Sequence, residues 1–404
     1  MPHFPSSHAD EQSTEPMVER LDAVIEAALA EKRVVGAVVL VAKCGALVYR
    51  RAAGFADRES GRPMKEDALF RLASVTKAIV STAAMVLVGQ RRLGLEDPVM
   101  RWLPGFLPRL PGGAAPRITL RQLLSHTAGL GYRFLEADAS GPYARAGVSD
   151  GMDHPGIPLS ENLRRIASVP LLFAPGTAWG YSLATDVMGG VIEKVTGVPL
   201  AEAVRTLVTG PLDMIDTQFH ATDPQRLCTP YVNDTPQPRR MRDVDLVSPF
   251  DGAIGIRYAP ARALDRDAYA SGGAGMVGAA GEFLRLLETL RQGGSGLLPA
   301  ALIDEMGTIQ AGDAGPPDAP GFGFGLGFSV LRDPQLAGSP ESPGTWRWGG
   351  AYGHSWFVDR KRELSVVGFT NTLCEGMSGA FVAQIRNAVY GTPRRGSEVG
   401  GDHE

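Results

Sequence analysis

Cysteine is scarce in this sequence: Cys44, Cys228 and Cys374 are its three, in 404 residues. They are far apart and no C-x-x-C pair occurs, so neither a disulfide framework nor a zinc site is implied. The spacing predicts thiols in a reducing compartment. Long apolar runs are also missing. The longest, Ala78 to Val88, contains Ser81 and Thr82 and is too short to span a bilayer. Residues 1–16 are polar and acidic and lack the charged start and apolar centre of a secretory signal. No sign of charge dominates, with 40 basic against 44 acidic residues and a net charge of -4. Nothing in that balance suggests nucleic acid, whose binding calls for a basic patch. These absences predict a soluble, cytoplasmic protein with no membrane or nucleic-acid partner, no metal and no cofactor. Lysine is rare too, at positions 32, 43, 65, 77, 194 and 361 only, because most basic residues are arginine. A lysine inside an apolar stretch of such a chain therefore requires a reason.

What is present is enough for a large core. Apolar residues make up 44% of the chain, and its length suits one catalytic unit or two subdomains sharing a cleft. Residues 1–16 read as a disordered arm. Met17 to Arg33 repeats apolar residues on one helical face. Val34 to Ala42 and Ala46 to Ala53, joined at Cys44-Gly45, read as a β-hairpin behind that helix. Ala78 to Leu87 is apolar nearly all round, which predicts a buried central helix.

Residues 100–265 are rich in proline and glycine, with short helical pieces at Leu120–Leu124 and Leu183–Val195. Gly281 to Gln292 is another amphipathic helix. Phe322 to Val330, Trp346 to Ala351, His354 to Asp359 and Leu364 to Asn371 read as strands. Ser378 then caps a helix carrying Phe381, Val382, Ile385 and Val389. The expected class is α/β (α+β): an antiparallel sheet built from both termini and flanked by helices, with an inserted, mainly helical lobe. The expected division is 17–75 with 265–392 for the sheet part and 76–264 for the lobe, followed by a mobile tail at 393–404.

Four patterns carry chemistry. In Ser74-Val75-Thr76-Lys77 the lysine follows the serine by three residues, which puts both on one helical face. Burial of that helix would desolvate the ammonium, lower its pKa and let a neutral amine take the serine proton. Arginine cannot serve, because its pKa is too high. A serine at a helix N-terminus also places backbone N–H groups at a developing oxyanion. The pattern alone is common; the apolar helix behind it adds the weight.

Gly147-Val148-Ser149-Asp150-Gly151 matches the G-x-S-x-G nucleophile elbow. That motif needs a strand before it and a helix after it. Here a polar, glycine-rich stretch precedes it and Pro155 and Pro158 follow, so the match reads as a decoy. Tyr181-Ser182 could aim a phenol at the serine and lysine and pass a proton to a leaving alcohol. A buried or rim tyrosine is the plain alternative. Trp348-Gly349-Gly350-Ala351 has two glycines in a strand, which permits close approach of a ligand or another backbone; a β-bulge is the alternative there. His126 and His354 are candidate bases whose ordinary role is structural, since neither has a carboxylate at a suggestive spacing.

Six ordered segments resemble the family VIII carboxylesterases, relatives of class C β-lactamases and DD-peptidases. They are Leu72–Lys77, Leu123–Leu130, Pro175-Gly176 with Tyr181-Ser182, Pro211–Met214, Ser271–Met276 and Trp348–Gly350. The resemblance covers about residues 17–391. It implies Ser74 as nucleophile, Lys77 as base, and Tyr181 moving the proton in both half-reactions. It implies an oxyanion hole from the backbone N–H of Ser74 and Ala351. Trp348, with Gly349 and Gly350, would line the substrate pocket, and Tyr132 would form the opposite wall.

Two departures matter. Class C β-lactamases have Tyr-x-Asn where this chain has Tyr181-Ser182-Leu183, and Lys-Thr-Gly where it has Trp348-Gly349-Gly350. The missing lysine would hold a substrate carboxylate, and an indole there favours uncharged acyl esters. The resemblance thus implies an esterase acting on small, uncharged esters. Acyl transfer, β-lactam, peptide or amide hydrolysis on the same fold, and a non-catalytic binding role remain open, as does the oligomeric state.

Overall fold

The computed structural model describes residues 11–391. An eight-stranded antiparallel sheet forms its centre. From one edge its strands are Phe322–Phe324, Ser329–Leu331, Trp346–Gly350, His354–Asp359, Leu364–Thr370, Gly36–Lys43, Ala46–Asp57 and Arg62–Pro63. The sheet is therefore built from both ends of the chain, as the sequence predicts. The join is the pairing of Gly36–Lys43 with Leu364–Thr370, with Leu40 opposite Val367. Cys44 and Gly45 turn the first hairpin with φ of 51° and 83°, the left-handed pair that a two-residue connection needs.

Both faces of the strand Gly36–Lys43 are covered, which explains its unbroken apolar run. Ala37, Val39 and Val41 face Leu21 and Ile25 of the helix Glu11–Ala30 and Phe381 and Ile385 of the helix Ala380–Tyr390. Val38, Leu40 and Ala42 belong to the larger core on the opposite face. There the helix Ala280–Arg291 packs Phe283 against Phe369 and Trp356. The helix Thr76–Gly89 is buried from Thr76 through Leu87, as its composition predicts. The same core continues into the helices Leu120–Leu124, Leu159–Ser168, Ala184–Thr196 and Leu200–Val204.

Several boundaries differ from the sequence expectation. The first helix begins at Glu11 rather than Met17 and carries Pro16 inside it. Residues 1–10 and the expected tail at 393–404 lie outside the described residues. The expected strand Phe322–Val330 is two short strands that pair with each other, because Gly327, at φ 108°, turns the chain between them. Ser378 does not cap the last helix. Gly379 precedes it, and a Glu375 carboxylate oxygen accepts from the Phe381 N–H. Among the described residues no helix is long and apolar enough to cross a membrane.

Ile25 is 1% exposed between the terminal helix and the sheet. Ile25→Ala should lower unfolding stability by about 2–4 kcal/mol through lost contacts and a residual cavity. Urea denaturation measures this, and turnover per folded molecule should be unchanged.

Candidate active site

Ser74 lies in a tight helical turn, Ala73–Val75, that runs directly into the helix Thr76–Gly89. Ala73, just before it, has φ 45°, a left-handed conformation that costs an L-residue energy and turns the next side chain out of the core. Ser74 is half-buried and Lys77 fully buried. The amine of Lys77 donates to Ser74 Oγ at 3.1 Å and to the Gly273 carbonyl at 2.8 Å. Ser74 Oγ also lies 2.5 Å from the Tyr181 hydroxyl. The helix therefore brings Ser74 and Lys77 together by itself, and two distant segments complete the cluster.

The first of these is Ser271–Met276. It is pinned on both sides of the serine: Leu72 N–H donates to the Met276 carbonyl at 2.8 Å, and Met276 N–H donates to Thr76 Oγ1 at 3.2 Å. This fixes the Gly273 carbonyl over Lys77. Gly273 admits no side chain, since a Cβ there would sit 2.5 Å from Asp186 Oδ2 and 3.3 Å from the Tyr132 hydroxyl.

The second segment carries Tyr181. His126 holds it: Gly180 N–H donates to the His126 carbonyl at 2.9 Å, and His126 Nδ1 is 3.1 Å from Ser182 Oγ. The imidazole packs against the Tyr181 ring with centroids 5.0 Å apart. Burial and the nearby Lys77 charge push the His126 pKa well below the usual histidine range, so the ring is neutral. His354 is also buried and neutral, its pKa pushed down to about 4, with Nε2 against the Arg71 carbonyl. Neither histidine contacts Ser74, and both have a structural role.

Aromatic rings surround the cluster. The Lys77 ammonium position lies 4.7 Å from the Tyr181 ring centre and 5.4 Å from that of Tyr132. Tyr132 and Trp348 lie on Tyr181 at centroid distances of 5.0 and 5.3 Å, and Phe324 meets Trp348 edge-on at 5.2 Å. Tyr132 is buried, and burial raises its pKa well above the usual phenol range. The strand Trp346–Gly350 delivers Trp348, Gly349 and Gly350, with Ala351 at its end. A Cβ on Gly350 would sit 2.4 Å from the Leu72 carbonyl, and one on Gly349 would sit 2.7 Å from the His354 carbonyl. Close approach of a second backbone is thus the reason for Gly350, and no bulge is needed.

Asp186 escaped the sequence reading. It is fully buried in the helix Ala184–Thr196, and burial pushes its pKa up to about 6, opposed by Ser271 and by the charges of Lys77 and Arg262. The signal was the one that singled out Lys77: a charged residue within an apolar helical stretch. Among the described residues no cluster of three or more His, Cys, Asp or Glu side chains is placed to hold a metal ion.

Ser149 is remote in role from this cluster. It is buried, and its hydroxyl meets Asp153, the Tyr269 hydroxyl at 2.9 Å and the Gly151 N–H at 3.2 Å. No strand leads into Gly147–Gly151, and the next regular helix starts at Leu159. The motif instead forms a packed loop beneath the site. Gly151 abuts Ser271, where a Cβ would meet Ser271 Oγ at 2.1 Å.

Residues 21–388 match the Beta-lactamase family. The chain belongs to that family. It is 52% identical over 372 residues to Esterase EstB of Burkholderia gladioli, covering 92% of this chain and 94% of the relative. It is 30% identical over 385 residues to the Lovastatin esterase of Penicillium rubens, covering 86% and 91%. Among solved structures it is similar to EstCE1, described as a hydrolase with promiscuous acyltransferase activity. The TM-score there is 0.90 at 46% identity, covering 94% of this chain and 100% of the other. The β-lactamase-like architecture expected from the six motifs is therefore the observed one.

Two outcomes test this picture. Ser149→Ala should lower stability by about 1–3 kcal/mol, because it leaves buried polar partners unmatched, while turnover per folded molecule is retained. Burial, with Asp153 nearby, pushes the Asp150 pKa up to about 7 despite the Arg133 charge. A carboxyl raised above its unfolded value of 3.8 binds more protons folded than unfolded, so its contribution is present at low pH and lost as pH climbs to about 7. Asp150→Asn should flatten that fall in a series of urea midpoints measured from pH 4 to pH 8.

Proposed function

We propose that the chain is a serine carboxylesterase that cleaves small, uncharged carboxylic esters through an acyl-enzyme on Ser74. The observation that carries this is one hydroxyl, Ser74 Oγ, within hydrogen-bond distance of both a buried amine and a phenol. Lys77 takes the Ser74 proton as Oγ attacks the ester carbonyl carbon. The charge of Asp186 favours the ammonium so formed. The backbone N–H groups of Ser74 and Ala351 receive the oxyanion. As the tetrahedral intermediate collapses, the C–O bond breaks, Tyr181 gives its proton to the leaving alcohol, and Lys77 returns the serine proton to Tyr181. Water then attacks the acyl-enzyme by the same relay in reverse.

Trp348 and Tyr132 form opposed walls around the acyl group or the alcohol. The indole stands where class C β-lactamases carry a cation, so a substrate carboxylate has no partner there. Esters are therefore favoured over β-lactams and peptides. The rings around Ser74 also favour an alcohol over water as the second nucleophile, which makes acyl transfer a side reaction of the same intermediate. The similarity to two esterases and to a hydrolase with acyltransferase activity supports this reading. The absence of a disulfide among the described residues supports a reducing, cytoplasmic setting.

A fluorophosphonate ester should label Ser74 and not Ser149, as read by peptide mass spectrometry. Ser74→Ala and Lys77→Ala should each lower kcat/KM for a short p-nitrophenyl ester by about 10³-fold or more, with folding intact by circular dichroism. A label on Ser149, an active Lys77→Ala enzyme, or faster turnover of a chromogenic cephalosporin than of the ester would overturn the reading.

A further inference from the structure

Beyond Gly273 the same loop lines a second feature. Ala274, Gly275 and Met276, together with Arg71, Arg262 and Tyr352, line a small, partly open pocket. Two guanidinium groups therefore face one space. Arg71 comes from the strand Leu69–Arg71, three residues before Ser74, and Arg262 from the turn Pro260–Leu264.

Neither has a carboxylate partner. Arg71 donates to the Pro260 carbonyl at 2.9 Å and the Cys228 carbonyl at 2.8 Å. Arg262, 7% exposed, donates to the Asp153 carbonyl at 3.2 Å and to the Tyr269 carbonyl. Asp186 and Asp265 feel the Arg262 charge through space, but neither forms an ion pair with it. Nη2 of Arg71 and Nε of Arg262 donate no hydrogen bond among the described residues. Each cation lies over an aromatic ring, Arg71 over Tyr352 at 5.9 Å and Arg262 over Tyr269 at 4.6 Å.

Enclosed cations without counter-charge are costly, and two at one cavity also repel. Charge-assisted N–H bonds to a single anion would remove both penalties. The backbone carbonyls already take up part of the positive charge. The rest of the wall is glycine, alanine, valine and methionine, so the Tyr352 hydroxyl is the one further side-chain donor, too few for a phosphate or sulfate. We propose that this cavity binds a small monovalent anion, a halide or a short carboxylate, between Arg71 and Arg262. The bound ion braces the Gly273 loop and the turn after Ala351 from behind. The proposal does not depend on which ester the enzyme cleaves.

Thermal unfolding of the full chain in sodium chloride, sodium acetate and sodium gluconate at matched ionic strength tests it. Gluconate is too bulky for the cavity. The midpoint should rise by about 3–5 °C once chloride or acetate exceeds its dissociation constant about a hundredfold, and not in gluconate. Whichever salt acts tells halide from carboxylate. Arg71→Gln, which keeps a donor but loses the charge, should abolish the salt-specific rise whatever its baseline stability. A rise equal in all three salts, or one that Arg71→Gln retains, overturns the proposal. If Arg71→Gln does not fold, Arg262→Gln takes its place. Wild-type crystals soaked in bromide, or grown in acetate if acetate alone acts, then give a direct view. An ion contacting both guanidinium groups supports the site, and water alone in the cavity overturns it.

Discussion

The pairing of Gly36–Lys43 with Leu364–Thr370 joins the two ends of the described chain, and the reaction centre depends on that join. Seven residue pairs hold it, and a helix layer covers each face. Closing so long a loop costs chain entropy, which local contacts cannot offset. Burial on both faces of the sheet does offset it, because the side chains of the central strand from Ala37 to Ala42 leave water. The chain on one side of this join leads to Ser74; the chain on the other descends from Ala351. A strand carrying Gly350 can then lie against the Leu72 carbonyl, next to the nucleophile.

Within that frame the decisive local problem is a buried lysine. Lys77 is fully enclosed, yet its amine keeps two acceptors, one from its own helix and one from the Gly273 loop. Removing either would leave a polar group stranded in a low-dielectric interior. Asp186 adds a carboxyl that the protein interior holds at the edge of ionisation. The rings of Tyr132, Tyr181 and Trp348 limit solvent around this cluster, which strengthens each remaining electrostatic contact.

The loop that holds Gly273 is itself supported from beneath. Gly151 presses on Ser271, and Ser149 ties that support to Asp153 and Tyr269. A sequence match to a nucleophile elbow thus serves as structural packing. A motif acquires a chemical meaning only from the elements on either side of it, and here a strand and a following helix are both missing. Arg71 and Arg262 belong to the same support, on the side away from any carboxylate partner.

The local features were legible in the sequence. Ser74 and Lys77 are three residues apart, so one helical turn fixes their relation, and the apolar residues after them specify its burial. The Cys44-Gly45 hairpin and the strands from Trp346 to Thr370 follow from alternation and turn chemistry over short spans. The rest required the tertiary structure. Tyr181 reaches Ser74 across 107 residues and the Gly273 carbonyl reaches Lys77 across 196, and no local pattern encodes such distances. Asp186, the neutral state of His126, the burial of Ser149 and the facing of Arg71 and Arg262 are likewise products of packing. Sequence by itself determined which residues could react and the family they belong to. Only the fold decided which of them meet, because hydrophobic burial, unlike a helical turn, acts between residues without regard to their order along the chain.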